Sequence, residues 1–262
     1  MPVDRQPLLS ADQVEVRAAD TTLVHEASVQ ILPGEVVVLL GPNGAGKSSL
    51  LRALVGITPV EASIQLGADR LDNLSIQERA RRVSYLPQGR ETAWPNRVFD
   101  IVALGRFAQG VALGRLTDAD HQAVTQAITA CDLQTLQDRR VDTLSGGEMA
   151  RVHCARLYAA NTPLLVADEP TAGLDPLQQH RITQLFASYA GDTKAVLLVL
   201  HDINLALRYG TRLLWMKEGQ IVADLSPDAV TADLVTKVYQ VEAEEVNTTL
   251  HNTKQFMTGL PT

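Results

Sequence analysis

The sequence predicts an α/β fold organised around a parallel sheet buried on both faces, and three observations carry that prediction. Short apolar runs at residues 36–40, 164–167 and 195–200 are unbroken rather than alternating, as strands covered on both sides require. Each run is followed by a turn-and-helix pattern, the order that builds parallel strands. A glycine-rich phosphate-binding loop comes directly after the first run, where such a loop joins a strand to a helix. A buried helix segment is the alternative for any single run, but their shortness and Val content suit strands better.

Taken in order, residues 8–32 are strand-like, with turn signals at Ala19-Asp20 and Pro33-Gly34. The first core strand, the phosphate loop and a helix-like stretch at 50–54 follow. Residues 89–160 read as mostly helical, a subdomain inserted between the first two core strands. Within it, Thr117-Asp118-Ala119-Asp120 supplies an N-cap for an Ala-rich helix running to about Ala130. After the third core strand, Arg212 to Lys217 and Gln220 to Asp224 flank Glu218-Gly219, the pattern of a hairpin. Ser226-Pro227 starts a final helix ending near Tyr239, so 225–262 is a C-terminal helix and tail. With no repeat and no Gly/Ser linker, 1–262 reads as one domain.

Composition narrows the class. Lys plus Arg is 23 against 30 for Asp plus Glu, a net charge of −7 that argues against a nucleic-acid-coating protein. The longest strictly apolar run, 195–200, is far short of the ~20 residues that span a bilayer. Asp4, Arg5 and Asp12 interrupt the start, so no signal peptide is visible. Cys131 and Cys154 have neither disulfide nor metal-ligand spacing and read as small buried hydrophobes of a reducing cytosol. The expectation is a soluble, acidic cytosolic protein.

The loop Gly41-Pro42-Asn43-Gly44-Ala45-Gly46-Lys47-Ser48, continued by Ser49, fits G-x-x-x-x-G-K-S. Its glycines let backbone N–H groups converge on phosphate, and the helix that follows adds its N-terminal dipole. Lys47 supplies charge for the β- and γ-phosphates and Ser48 a hydroxyl for Mg²⁺. At average glycine usage, a chance match in a chain of this size is on the order of one in a hundred. The second run ends in Asp168-Glu169-Pro170, which offers one carboxylate to Mg²⁺ and a second, Glu169, to polarise an attacking water.

Leu144-Ser145-Gly146-Gly147-Glu148 precedes that pair by about 20 residues. With it the sequence resembles the ATP-binding-cassette (ABC) ATPases over about residues 8–240. The resemblance implies a P-loop NTPase (RecA-like) core, an N-terminal antiparallel β-subdomain, and an inserted helical subdomain carrying the signature motif. It implies ATP and Mg²⁺ as ligands. Ser145, Gly146, Gly147 and Glu148 correspond to the signature that meets the γ-phosphate held by a second copy. Gln88, in Tyr85-Leu86-Pro87-Gln88, resembles the Q-loop glutamine, which contacts Mg²⁺ or water and reports nucleotide state to a membrane partner. Asp175 resembles the D-loop aspartate and His201 the switch histidine on the γ-phosphate.

Two positions depart from the family pattern. No aromatic residue occurs before Tyr85, although the family stacks adenine on an aromatic near the end of the first strand. Val16 is expected in that place, with Arg17 able to lay its guanidinium on the base. The missing stacking would weaken ATP binding by roughly 1–2 kcal/mol. Ala167 stands where a larger apolar residue is common and should affect packing only.

The stretch 89–106, with Trp94-Pro95, resembles importer cassettes for iron–siderophore complexes, haem and cobalamin, as do 201–209 and the short C-terminal end. That implies a homodimer of cassettes and two polytopic permease subunits docking near the Q-loop and Trp94. It also implies an extracytoplasmic binding protein acting indirectly, no nucleic acid, and a peripheral place on the cytoplasmic face of the inner membrane. The competing expectation is a soluble cassette without a membrane partner, such as the iron–sulfur assembly type.

Overall fold

A computed structural model describes residues 6–89, 96–111, 115–247 and 254–259. In chain order the elements are β1 (Leu9–Ala18), β2 (Thr21–Ile31), β3 (Val36–Leu40), α1 (Lys47–Leu54), β4 (Ser63–Leu66), β5 (Asp69–Arg70), α2 (Ile76–Arg82) and β6 (Val83–Leu86). The insertion contributes α3 (Val98–Ala103), α4 (Asp118–Ala130) and α5 (Gly146–Ala159). Then come β7 (Leu164–Asp168), α6 (Pro176–Tyr189), β8 (Ala195–Val199), α7 (Ile203–Tyr209), β9 (Arg212–Lys217) and β10 (Gln220–Leu225). The chain closes with α8 (Ala232–Tyr239), β11 (Glu242–Asn247) and β12 (Lys254–Gly259).

The three apolar runs are the strands β3, β8 and β7, adjacent in a sheet of order β10-β9-β3-β8-β7-β6. All pairings in it are parallel except that of β10, which turns back on β9 as the predicted hairpin. Every residue of these three strands is buried, and alternate side chains enter different cores. Val36, Val38, Leu40, Leu165, Ala167, Val196 and Leu198 face one core, shared with α3, α5 and α6. Val37, Leu39, Leu164, Val166, Leu197 and Val199 face the other, under α1 and the antiparallel sheet β2-β1-β4-β5. Two-sided burial is why no polar residue interrupts these runs; each buried Val or Leu contributes about 1.5–3 kcal/mol.

Thr117 caps α4 as expected, accepting from the Asp120 N–H while the Asp120 carboxylate accepts from the Thr117 N–H at 3.0 Å. The same reciprocal cap opens α2 with Ser75 and Glu78. Arg106 bolts the insertion together. Its Nε meets Asp120 Oδ1 at 2.8 Å and its Nη1 donates to Ala159 O at 2.9 Å, so one guanidinium joins the start of α4 to the end of α5. Arg106→Ala is expected to cost about 1.5–3 kcal/mol in urea unfolding, because the Asp120 carboxylate loses its ion pair and keeps only the bonds from Thr117.

The C-terminal segment differs from the expected helix and tail. Beyond α8 the chain forms an antiparallel hairpin, β11 with β12, and Phe256 of that hairpin is buried in the larger core. The strands are too polar for apolar periodicity to mark them. Cys131 and Cys154 are buried thiols of that core, and burial pushes the Cys131 thiol well above its ordinary value.

Candidate nucleotide site

Parallel pairing sends the loops after β3, β8, β7 and β6 out of the same edge of the sheet, the edge where open α/β folds bind ligands. The phosphate loop, His201, Asp168-Glu169 and Gln88 leave from that edge. Glycine is required in the loop by close backbone approach. Gly41 has φ 150°, and a Cβ there would sit 2.1 Å from Met216 O; at Gly46, φ 97°, it would sit 2.4 Å from Leu23 O.

Lys47, the first residue of α1, is buried, and its Nζ donates to Gly41 O at 2.7 Å and Pro42 O at 2.9 Å. Burial lowers its pKa, against the opposing pull of the Glu169 and Asp168 charges. Asn43, Gly44, Ala45, Ser48 and Ser49 complete the loop and the start of α1. Burial raises the Asp168 pKa, and a hydrogen bond from the Ser48 hydroxyl works the other way.

Asp168 Oδ1 is buried without a hydrogen-bond partner among the described residues. An unmatched carboxylate oxygen beside a serine hydroxyl suits a hard divalent cation. No cluster of three or more His, Cys, Asp or Glu side chains that could hold a metal exists among the described residues. Mg²⁺ here would therefore complete its shell with phosphate oxygens and water.

Glu169 gathers the remaining predicted catalytic residues. Gln88 Nε2 donates to its Oε2 at 2.7 Å, and His201 Nε2 lies 2.6 Å from its Oε1. Its backbone has φ 50°, left-handed for a non-glycine residue, at a cost of order 1–3 kcal/mol. Its N–H donates to Val199 O at 3.2 Å, which ties the turn after β7 to β8.

Ser145 caps α5 through a reciprocal bond pair with Glu148, the Ser145 N–H reaching Glu148 Oε2 at 2.7 Å. Glu148 thus caps the start of its own helix, and bonds from Ser145 hold its carboxyl below the ordinary carboxylate value. A Cβ on Gly146 would meet nothing within 4 Å and one on Gly147 nothing closer than 3.7 Å, so packing within the chain does not require either glycine. Asp175 caps α6, accepting from the Gln178 N–H at 2.9 Å.

Val16 departs from the expected adenine contact. Its side chain is buried in the smaller core, and its backbone pairs with Val24. It offers no surface to a base, so Val16→Tyr would overpack that core rather than add a stacking partner. Arg17 is exposed and ion-paired with its near neighbour Glu15. Trp94 and Pro95 lie outside the described residues. Two contacts carry no local sequence signal: the Tyr239 hydroxyl accepts from the Gly41 N–H at 3.0 Å, and the Gly219 N–H donates to Ala45 O at 3.1 Å.

Comparison with known proteins bears on this geometry. A family model described as ABC transporter matches residues 24–172. The hemin import ATP-binding protein HmuV of Nocardia farcinica is 42% identical over 224 residues, 85% of this chain and 77% of that protein. HmuV of Pseudomonas putida is 38% identical over 90% of this chain and 93% of its own length. The ferric enterobactin transport ATP-binding protein FepC of Escherichia coli is 35% identical over 88% and 86%. Among solved structures, an inward-facing metal-chelate type ABC transporter superposes with a TM-score of 0.80 at 21% identity, over 97% of both chains. A dimeric ATP-binding cassette in a post-hydrolysis state with ADP and Pi gives 0.73 at 24% identity, over 84% of this chain and 98% of that one. At those identities the structural likeness is one of fold.

Proposed function

From the premise that the chain belongs to the ABC transporter family as an ATPase, we propose that it powers import of an iron chelate, haem or a ferric siderophore, through a partner permease. The observation that carries the reading is the bond between Gln88 and Glu169, because it joins the carboxylate that takes the proton to a surface where a partner can act. Gln88 follows β6, and β6 borders a groove of about 300 Å³. Tyr85 and Leu86 line one side of it, and Leu104, Ala108 and Leu157 the other. A permease helix seated in that groove would shift Gln88 and with it the base.

The chemistry is hydrolysis of the β–γ phosphoanhydride. ATP lies with its phosphates on the loop amides and Lys47, and the capped start of α5 in a second copy closes over the γ-phosphate. The open space at Gly146 and Gly147 supports that approach from outside the chain. Water oxygen attacks the γ-phosphorus, its proton passes to Glu169, and the bond to the β-phosphate oxygen breaks to leave ADP and phosphate. Ser48 and Asp168 would hold Mg²⁺, which when bound neutralises charge on the β- and γ-oxygens. His201 orients the Glu169 carboxylate, and Asp175 lies on the face that meets the second copy.

Closure of the dimer is favoured only to the extent that ATP binds the closed form better, and hydrolysis removes that preference. No helix among the described residues is long and apolar enough to cross a membrane, so attachment to the inner membrane would come through the permease. The test is reconstitution of the cassette with its co-purifying permease in liposomes. ATP hydrolysis stimulated at least several-fold by a binding protein loaded with haem or ferric siderophore is the expected result. An ATPase that binds no polytopic membrane protein and ignores both cargoes would instead be a soluble cassette.

A further inference from the structure

The end of the chain reaches the nucleotide site in two places. At the first, Tyr239 closes α8 with its ring set edge-on to Trp215, centroids 6.2 Å apart at 81°. Its hydroxyl accepts from the Gly41 N–H, while Met216 O crowds the α-carbon of the same glycine. Gly41, the first residue of the phosphate loop, is thus held from two sides by elements far later in the chain. Burial pushes the Tyr239 pKa up to about 12, so the phenol stays neutral throughout the working pH range.

At the second place, the Asn204 side chain clamps the backbone of Phe256. The Phe256 N–H donates to Asn204 Oδ1 at 2.8 Å, and Asn204 Nδ2 donates to Phe256 O at 3.1 Å. Asn204 stands in the first turn of α7, whose cap, Asp202, directly follows His201 and accepts from the Asn204 and Leu205 N–H groups. Lys254 Nζ donates to Val230 O at 2.7 Å and ties β12 to the turn that leads into α8. Helix α8 and the β11–β12 hairpin pack together as one unit, with one end on the phosphate loop and the other on the switch turn.

We propose that this C-terminal unit is a positioning device for ATP hydrolysis, with Tyr239 setting the phosphate loop and Asn204 setting the turn that carries His201. It rests on the ATPase assignment and adds to it positioning roles for Tyr239 and Asn204. The Gly41 amide is the central contact: once committed to Tyr239 it fixes the direction in which the following loop amides face.

The experiment uses the full chain and compares wild type with Tyr239→Phe, Asn204→Ala and Asn204→Asp. Tyr239→Phe keeps the ring on Trp215 and removes only the hydroxyl. Its KM for ATP, and its Kd for a fluorescent ATP analogue measured without Mg²⁺, should rise about 5–10-fold, the worth of one hydrogen bond. Its kcat should stay within twofold and its Tm within about 2 °C. Asn204→Ala should show the opposite split, kcat lowered about 5–10-fold with KM unchanged, and Asn204→Asp, which keeps the bond from the Phe256 N–H, should fall between. Tyr239→Phe with unchanged KM and Kd overturns the proposal, as does any variant whose losses in kcat and KM simply follow a fall in Tm. Absence of hydrolysis in the wild type would count against the ATPase assignment instead.

Discussion

Glu169→Gln is expected to lower steady-state ATP hydrolysis by about 10²–10⁴-fold while leaving ATP binding intact, the range typical of losing a positioned general base. The substitution keeps size and hydrogen-bonding reach, so the side chain can still meet Gln88 and His201, its partners at 2.7 and 2.6 Å. The left-handed backbone at φ 50° is equally open to Gln, since both residues have the same Cβ. What is removed is the negative charge and one of the two acceptor oxygens, and with them the capacity to take a proton from water. Single-turnover hydrolysis and binding of a nucleotide analogue measure the two quantities separately. Hydrolysis within tenfold of wild type would take Glu169 out of the role of base. In a cassette that dimerises around ATP, the same variant should accumulate as an ATP-bound dimer visible by size-exclusion chromatography.

Lys47→Ala acts on the other half of the cycle and should weaken ATP binding at least 100-fold. Two unit charges about 4 Å apart interact by roughly 4 kcal/mol at the effective dielectric of a protein surface, and each 1.4 kcal/mol is tenfold in affinity. The amine is already buried against Gly41 O and Pro42 O, so it has lost much of its hydration before any ligand arrives. Exchanging two carbonyls for phosphate oxygens then costs less than stripping a fully hydrated ammonium would. Isothermal titration with ATP and Mg²⁺ provides the test, and affinity within tenfold of wild type would contradict this role for Lys47.

Residue type revealed the site wherever the chemistry is local. The loop at 41–48, the Asp168-Glu169 pair and His201 each sit at the end of an apolar run, and the sheet order brings them together because parallel strands release their loops on one edge. Thr117 and the β9–β10 hairpin were visible for the same reason, a few adjacent residues with a defined preference. Helix α2 was equally open to detection through Ser75 and Glu78, spaced as a capping box, but its exposed polar face carries no apolar periodicity.

Val16 shows where local information ends. The family pattern located the strand end, but the phase of β1 decides which side chains turn inward, and a shift of one residue exchanges core for surface. Here Val14 and Val16 turn into the core, and Arg17 and Ala18 are exposed. Glu148 was legible as a cap in the same way as Glu78, three residues after a serine. Tyr239 and Asn204 were beyond reach for a simpler reason: their partners lie 198 and 52 residues away.

The order of the central sheet also bears on how the protein is made. Strand β3 leads into the phosphate loop, yet its neighbours β8 and β9 are synthesised about 160 and about 175 residues later. At about 5–20 residues per second, a ribosome leaves this apolar strand without either partner for roughly 8–30 s. For that interval Val36–Leu40 lacks both strands it pairs with in the sheet, the kind of exposed apolar strand that promotes aggregation. In that window the phosphate loop also lacks Met216, Gly219 and Tyr239, the residues that back it in the folded protein.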